Sequence, residues 1–287
     1  MKLGFIGLGS MGLPMAVNLV NSGYELKVHT RSRNAEFNPL LAKANSSDSP
    51  REVSRSVDAL LLCLSDSKAV EEVLFGPNGS LDSLTCGSYV LDFSTISYEK
   101  AIQFSKKLAK KNVYYIDCPV TGGSEGAVNG SLTILVGGRK SALEKFDPIY
   151  QALGKRICYF GKVGDAQKVK AVNQVLVAGT YAAVAEGLAL AEAHQLPLED
   201  VISCLSTGAG SSWALINRSK NMLNNEYPLG FKLKLHHKDL VIAEELASIV
   251  NLNIPITNLV KSIEGYLISK GYGEQDISVL RKFFKQI

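Results

Sequence analysis

Gly7, Gly9 and Gly12 follow the short apolar run Leu3 to Ile6 in G-x-G-x-x-G spacing. Glycines so placed serve anion chemistry. The first permits a tight turn, the second lets backbone N–H groups approach a pyrophosphate, and the third lets the next helix pack closely on the strand. That helix turns its positive end toward the anion. Leu8, Ser10 and Met11 fill the turn and belong to the same candidate cofactor-binding set. A second strand, Tyr24 to His29, runs into Thr30, Arg31, Ser32, Arg33 and Asn34, and the first carboxylate beyond it is Glu36. An NAD(H) site carries an acidic residue ~20 positions after the glycines to hold the ribose hydroxyls. Two guanidiniums and two hydroxyls suit a 2′-phosphate instead. The segment therefore predicts NADP(H) in preference to NAD(H).

Three further segments carry chemical side chains. Asp117 to Gly130 reads DCPVTGGSEGAVNG directly after a strand-like run. Thr121 supplies a hydroxyl, and Gly122 and Gly123 can offer bare backbone N–H groups to a substrate carboxylate. Lys170, Asn173 and Gln174 lie at i, i+3 and i+4 of a helical pattern and share a face that turns apolar at Val177 and Ala178. A lysine against such a face is expected to lose basicity, which suits a group that protonates a carbonyl oxygen as hydride arrives. The last segment, Phe231 to Leu240, contains His236, His237, Lys238 and Asp239. Its histidines have no cysteine or carboxylate spacing that makes a zinc site, and no metal is expected. Trp213, with Ser211 and Ser212, is a candidate for the substrate-binding wall or for the core.

The elements that must position these groups alternate in the first half. Strand candidates are Leu3 to Ile6, Leu26 to His29, Ala59 to Cys63, Tyr89 to Asp92, Val113 to Ile116, Leu132 to Val136 and Ile157 to Phe160, with helical patterns between most of them. This is the rhythm of an α/β, Rossmann-type doubly wound parallel sheet, which binds ligands at the carboxyl ends of its strands. Leu64, Ser65, Ser94, Thr95 and the Pro119 to Gly123 loop fall at such ends. From Ala166 to about His194 there is neither proline nor a strand-like run, so one helix on the order of 40 Å is expected, linking two domains. Helical segments follow at Leu198 to Ser206, Ser212 to Asn221, Leu235 to Val250 and twice more near the end. The expected division is residues 1–162 for nucleotide binding and an all-helical 163–287 for substrate binding and oligomerisation.

Composition narrows the function classes. With 31 basic and 27 acidic residues the net charge is +4, and no dense Lys/Arg block suggests nucleic-acid binding. Cys63, Cys86, Cys118, Cys158 and Cys204 show no C-x-x-C spacing and read as reduced, buried small hydrophobes. Glycines at 4, 7, 9 and 12 interrupt any signal-peptide core, and no uninterrupted apolar stretch reaches the roughly 18 residues that span a bilayer. A cytoplasmic protein without nucleic-acid or membrane partners is expected.

Taken together, the segments resemble the β-hydroxyacid dehydrogenase family, the group of 3-hydroxyisobutyrate dehydrogenase, tartronate semialdehyde reductase and glyoxylate/succinic semialdehyde reductase. FIGLGSMGLPMAVNL is similar to its dinucleotide signature, DFSTIS to the segment placing a threonine near the nicotinamide, and DCPVTGGSEGAVNGSLTILVGG to its substrate loop. GDAQKVKAVNQ is similar to the catalytic helix and KDL, at Lys238 to Leu240, to the cofactor-contacting lysine motif. The likeness spans essentially the whole chain. It implies Lys170 as acid/base with Asn173 as its partner, Thr121 to Gly123 as carboxylate clamp with Gln174 and Trp213 nearby, and Thr95, Phe231 and Lys238 as cofactor contacts. The implied reaction interconverts a small aldehyde acid and its hydroxy acid with NADP(H), in a homodimer or homotetramer. Alternatives are NAD-dependent oxidation of 3-hydroxyisobutyrate or serine, and a non-catalytic NADPH sensor. The loop commonly carries serine where Thr121 stands, and a second glycine is common at Ala166. Related imine reductases generally lack the lysine at position 170.

Overall fold

The computed structural model describes residues 1–31 and 43–284. Ser32 and Arg33 lie outside the described residues. The chain divides into two compact units, Met1–Lys170 and Ala171–Ile287.

The first unit runs β1 (Leu3–Ile6), α1 (Gly12–Asn21), β2 (Leu26–His29), β3 (Asn45–Ser46), α2 (Pro50–Val53), β4 (Ala59–Leu62), α3 (Ser67–Phe75), β5 (Tyr89–Asp92), α4 (Tyr98–Ala109), β6 (Tyr114–Asp117), β7 (Val120–Thr121), α5 (Gly123–Val128), β8 (Leu132–Val136), α6 (Lys140–Lys145), α7 (Asp147–Leu153) and β9 (Gly154–Tyr159). Six strands form one parallel sheet in the order β3-β2-β1-β4-β5-β6. The order reverses between β1 and β4, the place where such sheets open a ligand crevice at their carboxyl ends. Every residue of β1, β4 and β5 is buried, whereas β2 alternates buried and half-buried positions. Central strands covered on both faces need continuous apolar runs, which is why their sequences LGFI and ALLL are so uniform. One face packs Leu3, Phe5 and Leu61 against Met15 and Leu19 of α1 and Ile149 of α7. The other packs Ile6, Leu60 and Leu62 against Val70, Leu74, Phe104 and Leu108 of α3 and α4.

The last two expected strands leave this sheet. β8 pairs with β7 antiparallel and with β9 parallel in a separate three-stranded sheet. Pro119 has no N–H with which to prolong the β6 ladder, and the chain turns back so that Val120 and Thr121 pair with Ile134 and Thr133. β3 carries two exposed polar residues and gives no apolar signal. The cysteines also differ from expectation. All five are free, but only Cys118 is buried; Cys86 and Cys204 are exposed. Cys86 lies in the turn before β5, and Cys204 lies on a helix that contributes no buried residue.

The 29-residue helix α8 (Asp165–Ala193) starts in the first unit and continues into the second. There it is joined by α9 (Leu198–Leu205), α10 (Trp213–Asn224), α11 (Leu233–Ile249), α12 (Pro255–Ser269) and a closing 3-10 helix, Ile277–Phe283. Pro255 stands in the first turn of α12, where its missing N–H costs nothing. Ala178, Ala185 and Leu188 of α8 pack with Leu215, Leu240, Val260, Ile263 and Leu280. Asp276 binds the 3-10 helix to the loop before α11, accepting from Ser278 N–H at 3.0 Å, Phe231 N–H at 2.8 Å and Gly230 N–H at 2.9 Å.

Candidate active site

At the carboxyl end of β1 the backbone takes the course that the glycines permit. Gly7 has φ +103°, and its N–H donates to His29 O at 3.0 Å, tying the turn to β2. A side chain on Gly12 would overlap the Gly7 carbonyl oxygen, so the close seating of α1 requires glycine there. A Cβ on Gly9 would meet nothing within 4 Å. Met11, which leads into α1, makes no side-chain cap, and the helix start follows an exposed Gly9 and Ser10. These residues fit a dinucleotide pyrophosphate. Thr30 is half-buried and Arg31 exposed at the end of β2.

The neighbouring strand ends are fastened to one another. Ser94 Oγ accepts from Leu64 N–H at 2.9 Å, and Asp92 accepts from Ser94 N–H at 2.9 Å and from the Tyr115 hydroxyl at 2.6 Å. Ser65 is exposed and Thr95 half-buried beside this core. Thr121 pairs with Thr133, and Gly122 and Gly123 follow with φ +130° and +64°, leading into α5.

Asp117, the last residue of β6, governs where α8 begins. Its carboxylate accepts from Gly164 N–H at 2.8 Å and from Gln167 N–H at 3.2 Å, satisfying helix amides that have no partner within the helix. The Gln167 side chain adds two bonds to the loop after β5, donating to Ser94 O at 2.9 Å and accepting from Ile96 N–H at 3.2 Å. One turn beyond these anchors stands Lys170, which is only 7% exposed. A side chain of that length seldom gets so buried without a task or a partner. In this unit the lysine is carried on a helix start pinned to the ends of β5 and β6.

Burial pushes the Asp117 carboxyl up to about 7, helped by the Asp92 carboxylate and opposed by the N–H groups of Gly164 and Gln167. The folded value lies above the unfolded one, so the fold favours the protonated form. That contribution to stability is whole below about pH 4 and is lost as pH rises through about 7. Asp117→Asn is expected to remove this slope. Denaturant unfolding should show wild-type stability falling relative to the variant between about pH 4 and 7, by on the order of a few kcal/mol. Parallel curves would contradict the assignment.

In the second unit, four polar side chains join in series. Asn173 Nδ2 donates to Gln174 Oε1 at 2.7 Å, Gln174 Nε2 donates to Asp239 Oδ2 at 2.7 Å, and Lys238 Nζ lies 2.8 Å from Asp239 Oδ1. His236, one turn before Asp239 on α11, faces Gln174 O at 3.3 Å through Nε2 and Glu264 at 2.6 Å through Nδ1. Phe231 stacks edge-on against His236, with centroids 5.7 Å apart. Trp213 is 55% exposed at the start of α10, with the Arg218 guanidinium 4.6 Å from its ring, so it is no core residue.

Two family models divide the chain between them. Residues 2–161 match the NAD binding domain of 6-phosphogluconate dehydrogenase, and residues 164–284 match the NAD-binding domain of NADP-dependent 3-hydroxyisobutyrate dehydrogenase. The chain belongs to the β-hydroxyacid dehydrogenase family. It is 36% identical to the 2-hydroxy-3-oxopropionate reductase of Escherichia coli, over 98% of this chain and 96% of the relative. To the NAD-dependent L-serine dehydrogenase of Pseudomonas aeruginosa it is 33% identical, over 99% and 97%. A crystal structure of 3-hydroxyisobutyrate dehydrogenase from Salmonella typhimurium superposes with a TM-score of 0.89 at 28% identity, covering 99% of each chain. As a β-hydroxyacid dehydrogenase, the chain is an NAD(P)-dependent oxidoreductase acting on CH–OH groups.

Sequence reasoning passed over three of the groups that organise this β-hydroxyacid dehydrogenase. Asp117 and Gln167 carry little signal in the sequence beyond an aspartate ending a strand-like run and a glutamine three residues before a lysine. Asp239 was noted only as the neighbour of Lys238.

Proposed function

We propose that the protein interconverts a small aldehyde acid and its hydroxy acid with NADP(H), using Lys170 as general acid and base. The observation that carries this reading is the burial of Lys170 one turn from the Asp117 and Gln167 anchors, in the same unit as the glycine turn. The nucleotide supplies or accepts the hydride at the carbonyl carbon. In reduction the Lys170 ammonium gives a proton to the carbonyl oxygen, and solvent restores it; in oxidation the neutral amine takes the hydroxyl proton. Thr121 and the N–H groups of Gly122 and Gly123 hold the carboxylate, with Trp213 at the substrate and Gln174 behind Asn173. Thr95, Phe231 and Lys238 contact the cofactor. Thr30 and Arg31 favour the 2′-phosphate of NADP(H), together with Ser32 and Arg33. Fixing both reactants in register supplies much of the acceleration.

The test is a panel of glyoxylate, succinic semialdehyde, tartronate semialdehyde and methylmalonate semialdehyde, read by nicotinamide absorbance with NADPH and with NADH. Turnover of at least one acid, faster with NADPH, is the expected result. Silence across the panel and across wider carbonyl sets would favour a non-catalytic nucleotide sensor. A second reading is NAD-dependent oxidation of 3-hydroxyisobutyrate or serine, favoured by the likeness to the Pseudomonas enzyme. It predicts faster turnover of the hydroxy acid with NAD+.

The functional unit is proposed to be a homodimer or homotetramer. α8 is a long apolar helix, and much of its apolar stretch is left exposed within the chain. Val172, Leu176 and Leu190 stand exposed on α8, as do Ile256 and Leu259 on α12. Such faces call for cover, which a second copy would provide.

A further inference from the structure

The series Asn173, Gln174, Asp239 and Lys238 has a direction. Asp239 lies 2.8 Å from the Lys238 ammonium and is 3% exposed, and an ionised carboxylate accepts hydrogen bonds without donating any. Gln174, 1% exposed, must therefore turn its NH2 end toward Asp239. Its oxygen is then the end that meets Asn173, and Asn173 must answer with its own NH2. What is left of the Asn173 amide for any reacting group is the carbonyl oxygen and the second N–H of its NH2 group. His236 meets the Gln174 backbone carbonyl from the same helix, α11, that presents Asp239.

We propose that Gln174 and Asp239 are positioning residues that fix Asn173 with its carbonyl oxygen toward the reacting groups. Asn173 then offers that oxygen as an acceptor for a hydroxyl or a protonated amine. Asp239 also holds Lys238, so the carboxylate that orients the asparagine is the one that steadies the cofactor lysine. This rests on the reading of Asn173 and Lys238 as site residues.

The direction of the series can be reversed by substitution. In Asn173→Asp the residue can no longer donate to Gln174; the glutamine must flip, and its oxygen then faces the Asp239 carboxylate. Adding Asp239→Asn supplies a donor at the far end. The double variant therefore carries the same series with opposite polarity, and it still presents an oxygen acceptor at position 173. Three readouts are to be taken on wild type, both single variants and the double variant: Tm, NADPH affinity by fluorescence titration, and kcat on the best substrate of the panel.

Asn173→Asp alone should lower Tm and reduce kcat at least about tenfold, and Asp239→Asn should restore most of both losses, a coupling of the size seen between residues in one network. NADPH affinity should be weakened in Asp239→Asn and stay weakened in the double variant, because Lys238 has lost its partner in each. Additive losses in Tm, or a double variant that fails to fold, would overturn the proposal. Coupling in Tm without turnover of any substrate would uphold the wiring and retire the catalytic role of Asn173.

Discussion

Lys170→Ala is expected to lower kcat by about 10²–10⁴-fold, the span that a positioned general acid–base group contributes, while NADPH affinity stays within a few-fold of wild type. The separation follows from where the residue sits. The glycine turn and the start of α1 are held by the Gly7 bond to His29 and by close packing at Gly12, and Lys170 takes part in neither. The anchors of α8 are likewise independent of the lysine side chain, since Asp117 and Gln167 bind backbone groups of the loops and the helix start. Removing the ammonium should leave the helix in place. Single-turnover hydride transfer with saturating NADPH is the measurement. Equal losses in cofactor affinity and in turnover would mean that Lys170 holds the nucleotide and is no proton donor.

Arg31→Asp should invert the preference between nucleotides. A guanidinium on the 2′-phosphate makes charge-assisted hydrogen bonds, and each bond to a charged group is worth about 1.5–3 kcal/mol. An aspartate forfeits them, repels the phosphate and offers the ribose hydroxyls of NADH an acceptor. The NADPH/NADH ratio of kcat/KM is expected to fall by at least about 100-fold. Arg31 is exposed at the end of β2, so the change should leave Tm nearly untouched. An unaltered ratio would show that the arginine is only a solvated surface residue.

What could be read directly from the chain was local. The strand, glycine turn and helix at Leu3–Asn21 lie within one stretch of sequence, and Gly12 there answers to its near neighbour Gly7. The long helix was legible because an unbroken helical pattern without proline has few other outcomes. The parts that escaped depend on partners far apart in sequence. Asp117 meets Gly164 and Gln167 across 47 and 50 residues, and Gln174 meets Asp239 across 65. No spacing rule connects such pairs until the sheet and the helices have brought them together. The β7-β8-β9 sheet escaped for a related reason: Leu132 to Val136 reads as one more buried strand whichever sheet it joins, and only the turn after Pro119 decides. The alternation of apolar runs named the strands without assigning them to sheets.

Crystals grown with NADP+ and a hydroxy acid that the enzyme turns over test the role of the Lys170 nitrogen most directly. Lys170 Nζ should lie within hydrogen-bond reach of the reacting hydroxyl, at about 2.6–3.2 Å, with the 2′-phosphate against Arg31. A bound acid whose hydroxyl meets some other side chain, with Lys170 turned away from it, would contradict the account.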